Sequence, residues 1–444
     1  MLDRKRFAIA VGILLALTLV LSGCVPVAQA PAGEQQAAPA GEKTKITFWH
    51  HTYTVATDWM RGKIAEYEKM NPNVEIELVE YPHGDYEVKL LAAIAAGDPP
   101  DIINLLDYLF PKYNAKGLLA PVDPAAFGVA DQQGVLDLFE KPALDGMTFD
   151  GNVYGVPAEF NTFVIFGNGE HFKEIGLDPS DPNICPKTWT DFFDLAKKLE
   201  KRDASGNVER MGFNWVWGLD LFWYAQEFWS GSRQYGCEVI GADGKAAINS
   251  PQCVQMFEET WYNLIKDGMG GPALASPNPV YAFQDFMDGR QSMVIGGPWA
   301  PAAWRDNAPK VYENYFVCPH PQLDPTNPKS FIHTYALAVS ANSKNASEAW
   351  KFLNYLTSDP GDMLKQAGYI NGRVGWMDTP EAKATTGIDI MQQDYKNGAF
   401  VWRSETFTEE GEAIKNAIET FAQDGNVQAA LDKAAEEINK ARGQ

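Results

Sequence analysis

The residues that follow position 44 switch repeatedly between two periods, and this switching limits the fold more than any other feature. Lys45 to Trp49 is a short β-prone run, and Asp58 to Met70 carries a helical pattern that Asn71-Pro72 stops. Val74, Ile76 and Leu78 then alternate with Glu75 and Glu77, which predicts a strand with one buried face. A helical stretch from Asp85 to Ala96 breaks at Gly97-Asp98-Pro99-Pro100, and Asp101 to Leu106 reads as a buried strand. Strand–helix–strand units of this length join parallel strands, so the expected class is α/β with a parallel sheet covered on both faces.

The segment ahead of this body cannot enter a core. Arg4, Lys5 and Arg6 precede an uncharged apolar run from Phe7 to Val20, the pattern of an export signal and too short for a confident membrane span. Leu21-Ser22-Gly23-Cys24 resembles a bacterial lipobox, which implies removal of residues 1–23 and a lipid on Cys24. Residues 24–43 continue with Pro, Ala, Gly and Gln and have no core-forming period, so they read as a flexible tether. Residues 1–23 hold three cations and one anion, so removing them takes the net charge from −21 to −23. A chain this acidic, with no basic stripe, is not a general nucleic-acid binder.

Later segments repeat the α/β theme. Thr188-x-x-Asp191 caps a helix whose Phe192, Leu195, Ala196 and Leu199 form one stripe. Met293 to Ile295 is a short strand ending in Gly296-Gly297-Pro298, and Tyr335 to Val339 is another, followed by a helix from Ala346 to Thr357. Ile414, Ala417, Ile418 and Phe421 mark one C-terminal helix; Val427, Ala430, Leu431, Ala434, Ala435 and Ile438 mark a second. Besides Cys24 there are four cysteines, which allow three pairings. The short loop between Cys237 and Cys253 favours that pair, leaving Cys185 with Cys318. No CxxC is present, so a zinc ribbon finds no support.

Signatures of catalysis are missing. There is no HExxH, GxSxG or Walker A loop, and Gly167-x-Gly169 lacks its third glycine. A glycosidase needs two carboxylates, a condition that 58 acidic residues render uninformative. Binding chemistry is more visible. Trp215, Trp217, Trp223 and Trp229, interleaved with Phe222, Tyr224 and Phe228, make a stretch too aromatic for a routine helix, and one or two of these rings are expected at a ligand. His50 and His51 follow the first strand and Asp107 follows the third, at the carboxyl ends where a doubly wound sheet meets its ligand. The histidine pair is not expected to bind metal, because adjacent strand residues point apart and the other histidines have no ligand spacing.

Nearly end to end, the body resembles the extracellular solute-binding proteins (family 1) of ABC sugar importers, the maltose-binding-protein-like group. The resemblance rests on an ordered set: Ile46-Thr47-Phe48-Trp49-His50, Ala93 to Ile102, Lys116-Gly117-Leu118-Leu119-Ala120-Pro121, Val153-Tyr154-Gly155-Val156-Pro157, Phe286-Met287-Asp288-Gly289-Arg290, Met293 to Trp299, Ala336 to Ser340 and Lys351 to Leu356. It implies a two-lobe, type II periplasmic-binding-protein fold with discontinuous lobes: 44–156 with 332–371, and 157–331 with 372–444. Ligand would lie in the interlobe cleft of a monomer held outside the cytoplasm, and an ABC permease would read closure. No cofactor, metal or covalent chemistry is implied.

The same resemblance adds site residues. Gly297-Pro298-Trp299 matches the turn whose tryptophan lies against a sugar face. Asn161 stands where relatives have a ligand carboxylate, and Arg373 follows Gly372 in a crossover loop where many carry arginine. Leu105, Tyr108 and Leu109 replace the Trp, Asp and Arg of maltose binders, so maltose itself is not implied. A polyamine binder on the same fold, a glycoside-acting enzyme and a surface adhesin are the rival readings.

Overall fold

The computed structural model describes residues 43–215, 221–266 and 282–444. The export signal, Cys24, the tether up to residue 42 and Trp217 lie outside the described residues.

Strand β1 (Thr44–His51) pairs in parallel along its whole length with β2 (Val74–Tyr81), from Thr44 opposite Val74 to His51 opposite Tyr81. Helix α1 (Thr54–Met70) connects them, beginning four residues ahead of the expected start, and α2 (His83–Ala96) leads to β3 (Ile102–Leu106). Every residue of β3 is buried, as its unbroken apolar character requires of a central strand. After β4 (Leu119–Ala120), the strand β5 (Val156–Asn161) ends this sheet's first run, and β6 (Val164–Asn168) already belongs to a second sheet.

The second sheet gathers around β6. Helix α3 (Trp189–Leu199) starts where Thr188 accepts a hydrogen bond from the Asp191 N–H at 3.1 Å and buries Phe192, Leu195, Ala196 and Leu199. Then follow β7 (Lys201–Arg202), β8 (Val208–Phe213), α4 (Leu221–Tyr235), β9 (Gln291–Gly296), α5 (Ala300–Asn307) and β10 (Tyr315–Cys318), in the sheet order β10-β6-β9-β8-β7. The α4 segment corrects the expectation that so aromatic a stretch is no ordinary helix. From Trp223 to Ser230 every residue is buried, so α4 has no polar face to reveal a helical period.

From β11 (Ser330–Phe331) the chain re-enters the first sheet as β12 (His333–Ser340), buried throughout. Here the expected parallel sheet needs amending. β12 runs antiparallel to β3, β4 and β5, with Tyr335 opposite Leu106 and Val339 opposite Ile102. It arrives from the second sheet beside the carboxyl end of β3, so it has to run the other way. Helices α6 (Ala346–Thr357) and α7 (Pro360–Ala367) complete this lobe, and β13 (Gly398–Ala399) pairs with β11. Helix α8 (Phe407–Asp424) packs on α4 and on α9 (Val427–Ala441) through the two predicted apolar stripes. Two α/β lobes result, with chain crossings between β5 and β6, between β10 and β12, and between α7 and α8.

Two disulfides join Cys185 to Cys318 and Cys237 to Cys253, with Cα separations of 5.4 and 4.5 Å. The second closes a 16-residue separation. Replacing Cys237 and Cys253 together by Ala is expected to cost about 3 kcal/mol, from restored freedom of the unfolded loop. Chemical denaturation reads this as a lower midpoint, and an unmoved midpoint would contradict it.

Candidate functional site

Three strands of the first sheet end together, and polar but buried residues stand at or just past their ends. At the end of β1, His50 lies edge-on to Phe48, and its Nδ1 is 2.5 Å from the His51 carbonyl. His51 faces the other way: its Nδ1 is 2.6 Å from Asn104 Oδ1, and its ring is 4.5 Å from that of Tyr335. His83 sits 5.3 Å from His51 and hydrogen-bonds the Tyr335 hydroxyl. The strand rule does not keep the two rings apart, since the imidazoles stack at 4.5 Å. Burial holds His50 down to about 4, and burial with His50 and His83 nearby holds His51 well below its ordinary value. Both rings are therefore neutral at pH 7, each with one N–H donor and one bare acceptor nitrogen. Among the described residues, no three His, Cys, Asp or Glu side chains are grouped as metal ligands.

Asp107 follows β3 and is fully buried. Its Oδ1 accepts from the Thr334 N–H at 3.0 Å, while Oδ2 has no hydrogen-bond partner among the described residues. Burial raises its carboxyl to about 6, against the pull of Arg403. Asn161 ends β5 and donates to Glu159 Oε1 at 2.6 Å, leaving its own Oδ1 without a partner among the described residues. Glu159, also bonded by Tyr369, is pushed up by burial to about 8. Thr334 Oγ1 and Asn104 Nδ2 are likewise buried without a partner among the described residues. Leaving one such group unsatisfied costs about 1–3 kcal/mol, and several here share one edge of one sheet.

The facing wall is aromatic and belongs to the second lobe. β9 runs into Gly297-Pro298-Trp299, and a Cβ on Gly297 would stand 2.6 Å from Trp299 Nε1, so only glycine lets the indole fold back over the turn. Trp299 is half-buried, its ring 4.9 Å from Phe283, 6.0 Å from Trp223 and 6.2 Å from Tyr53. Trp223 stacks on Phe163 at 6.0 Å, and Phe163 meets His333 at 5.4 Å, which links this wall to the start of β12. From the first lobe, Tyr53 stacks on Tyr369 at 5.6 Å. A cavity of about 310 Å³ at the carboxyl end of the first sheet is lined by His51, His83, Asn104 and Tyr335 on one side and by Leu221, Thr408 and Glu412 on the other.

Of the residues singled out from sequence, Trp299 and Trp223 lie in the aromatic wall, and His51, Asp107 and Asn161 lie at the carboxyl end of the first sheet, with His50 against His51. Arg373 does not join them. It is turned into the first lobe, 5.0 Å above Phe139, with Nη2 donating to Asn354 Oδ1 at 2.6 Å and Thr357 Oγ1 at 3.1 Å, and so braces that core. Trp215 is core as well, stacked on Trp261 at 4.7 Å. Sequence reasoning missed Tyr53, Phe283, Tyr369, Glu159, Asn104 and Tyr335. Tyr53 could have been found two positions past His51 in the same strand-end loop; Phe283 and Tyr369 carry no local signal.

Two α/β lobes facing each other across a seam of aromatic rings and unpaired polar groups define a cleft-type binding protein. Residues 53–363 match the family of bacterial extracellular solute-binding proteins, and the chain belongs to that family. The family consists of binding proteins rather than enzymes and acts outside the cytoplasm. A maltotriose-binding protein of Pyrococcus abyssi is 25% identical over 89% of this chain and 82% of its own length. A lactose-binding protein of Rhizobium radiobacter is 23% identical over 83% of this chain and 82% of its own. Among solved structures, a maltose-bound protein of T. maritima superposes with a TM-score of 0.74 at 18% identity, covering 89% of this chain and 99% of that one. An ABC substrate-binding protein of Listeria monocytogenes in complex with cycloalternan gives 0.73 at 22% identity, covering 90% and 99%.

The buried groups set a pH profile for stability. His50, His171 and His320 titrate near 4 and His333 near 3 when folded, against 6.5 when free, so the unfolded chain holds more protons from about pH 4 to 6.5 and stability rises with pH there. Asp107, Asp394 and Glu159 titrate near 6, 7 and 8 when folded, so the folded chain holds their extra protons from about pH 4 upward; the more numerous histidines outweigh them up to about pH 6.5, and above it Asp394 and Glu159 still hold theirs and stability falls. Melting temperature is expected to peak at about pH 6.5. Glu159→Gln should flatten the fall toward pH 8, and a variant that falls as steeply as wild type would contradict the assignment.

Proposed function

We propose that the chain is a lipid-anchored receptor of an ABC importer that binds a mono- or oligosaccharide between its lobes and delivers it to the permease. The observation that carries this reading is the pairing of an aromatic wall, Trp299, Trp223 and Phe283, with four buried polar atoms at the carboxyl end of the first sheet that have no hydrogen-bond partner among the described residues: Asp107 Oδ2, Asn161 Oδ1, Thr334 Oγ1 and Asn104 Nδ2. A sugar ring offers apolar C–H faces to the first and hydroxyls to the second. The neutral pair His50 and His51 fits hydroxyls, since neutral imidazole both donates and accepts. Similarity to binders of maltotriose and lactose supports the same class.

In this reading the lobe built on the first sheet, β5 and the Gly372-Arg373 loop included, moves against the lobe built on the second sheet, and ligand stabilises the closed form by touching both. Acyl chains on Cys24 hold the monomer at the membrane through about 0.8 kcal/mol per buried methylene, and the tether to residue 43 lets the body reach the permease. Trp223 belongs to the aromatic wall, whereas Arg373 supports the first lobe.

A thermal-shift screen of the full chain with neutral mono- and oligosaccharides tests the reading. A cognate sugar at a hundredfold excess over its dissociation constant stabilises by about 2.7 kcal/mol. Trp299→Ala should weaken that sugar by about 2–3 kcal/mol through lost apolar contact. If no sugar moves the melting point while spermidine does, the carbohydrate reading fails.

A further inference from the structure

Trp299 is gripped by its backbone as well as packed by its ring. Tyr53, between β1 and α1, donates its hydroxyl to the Trp299 carbonyl at 2.8 Å. Gly368 approaches the same residue. It caps α7 with φ 73°, and a Cβ there would lie 2.9 Å from Trp299 Cα, 3.2 Å from its carbonyl oxygen and 3.1 Å from Ala302 Cβ. A third contact lies alongside, where Arg305 of α5 donates to the Lys365 carbonyl of α7 at 3.2 Å. The stacking of Tyr53 on Tyr369, the residue after Gly368, joins the first two contacts into one unit.

All three contacts cross the seam. Tyr53 follows β1 of the first sheet, and α7 is fastened to α1 of the same lobe through Trp59 Nε1 to Asp362 at 2.9 Å and Lys63 to Asp362 at 2.9 Å. Trp299 and α5 follow β9 of the second sheet. We propose that Tyr53 and Gly368 form a clamp on the Trp299 backbone, so that closing the lobes and aiming the Trp299 ring are a single event. This rests on the reading of Trp299 as a ligand platform, and it makes Tyr53 and Gly368 positioning residues that act through Trp299. Gly368 is needed twice over. Its positive φ suits glycine, and its bare Cα lets the opposing backbone come within reach. Because these contacts form only when the lobes meet, losing one lowers the closed population and with it the apparent affinity.

Gly97 supplies the control. It caps α2 with φ 79°, and a Cβ there meets nothing within 4 Å, so Gly97→Ala carries the same backbone strain without the clash. Small-angle scattering of the unliganded full chain should give Gly368→Ala a larger radius of gyration than both Gly97→Ala and wild type. Titration with a saccharide that shifts wild-type melting should show Tyr53→Phe and Gly368→Ala weakened about tenfold or more, through faster release, with Gly97→Ala unchanged. Tyr53→Phe removes one hydroxyl and leaves the ring stack, so it decides the question should Gly368→Ala not fold. Equal radii for the two alanine variants with wild-type affinity in Tyr53→Phe would overturn the clamp. If no saccharide binds even wild type, the carbohydrate reading fails, and the scattering comparison still decides the clamp on its own.

Discussion

The return of the chain from the second lobe as β12, antiparallel beside β3, is the pairing on which the rest of this structure hangs. It closes the first sheet from Leu106 to Ile102 and brackets β5 through His333 opposite Asn161. The strand leaving for the second lobe and the strand returning from it are thus hydrogen-bonded to each other at the sheet edge. Because β12 enters at the carboxyl end of β3, its first residues, His333 to Tyr335, arrive among the ends of β1, β3 and β5. A single topological fact therefore fixes the covalent links between the lobes and the floor of the cleft.

That floor is expensive to build. Neutral histidines, a carboxyl raised to about 6 at Asp107 and another to about 8 at Glu159 are all consequences of taking polar groups out of water. A core designed only for stability would replace them with apolar side chains. Their concentration along one seam, opposite Trp299 and Trp223, is the mark of a surface kept ready for a polar, uncharged partner. The acidic net charge of the chain plays a smaller part than these few groups, since most of its carboxylates are solvated.

Much of the fold was legible in the sequence because many elements of both lobes obey local rules. Asn71-Pro72 ends α1, Gly97 caps α2 in the left-handed conformation, Thr188 caps α3, and the stripes of α8 and α9 are buried as their spacing requires. The direction of β12 was not legible, since a strand's period is the same whichever way it runs. Helix α4 was hidden because burial on all sides erases amphipathic spacing. The place of His51 and Asp107 at the carboxyl end of the first sheet could be read from sequence position alone. Tyr369 and Phe283 reach the cleft only through tertiary packing, and Arg373 looked like a ligand residue because its loop, not its side chain, lies near the crossover.

The central claim is that a saccharide lies between the lobes, its face on Trp299 and its hydroxyls on the unpaired groups of the opposite sheet edge. A crystal structure of the full chain grown with a saccharide that raises its melting temperature tests this most directly. The account predicts a sugar ring in van der Waals contact with the Trp299 indole and hydroxyls within hydrogen-bond distance of Asp107 Oδ2 or Asn161 Oδ1. A saccharide bound outside the cleft, or one inside it that leaves Trp299 and both of those oxygens untouched, would contradict it.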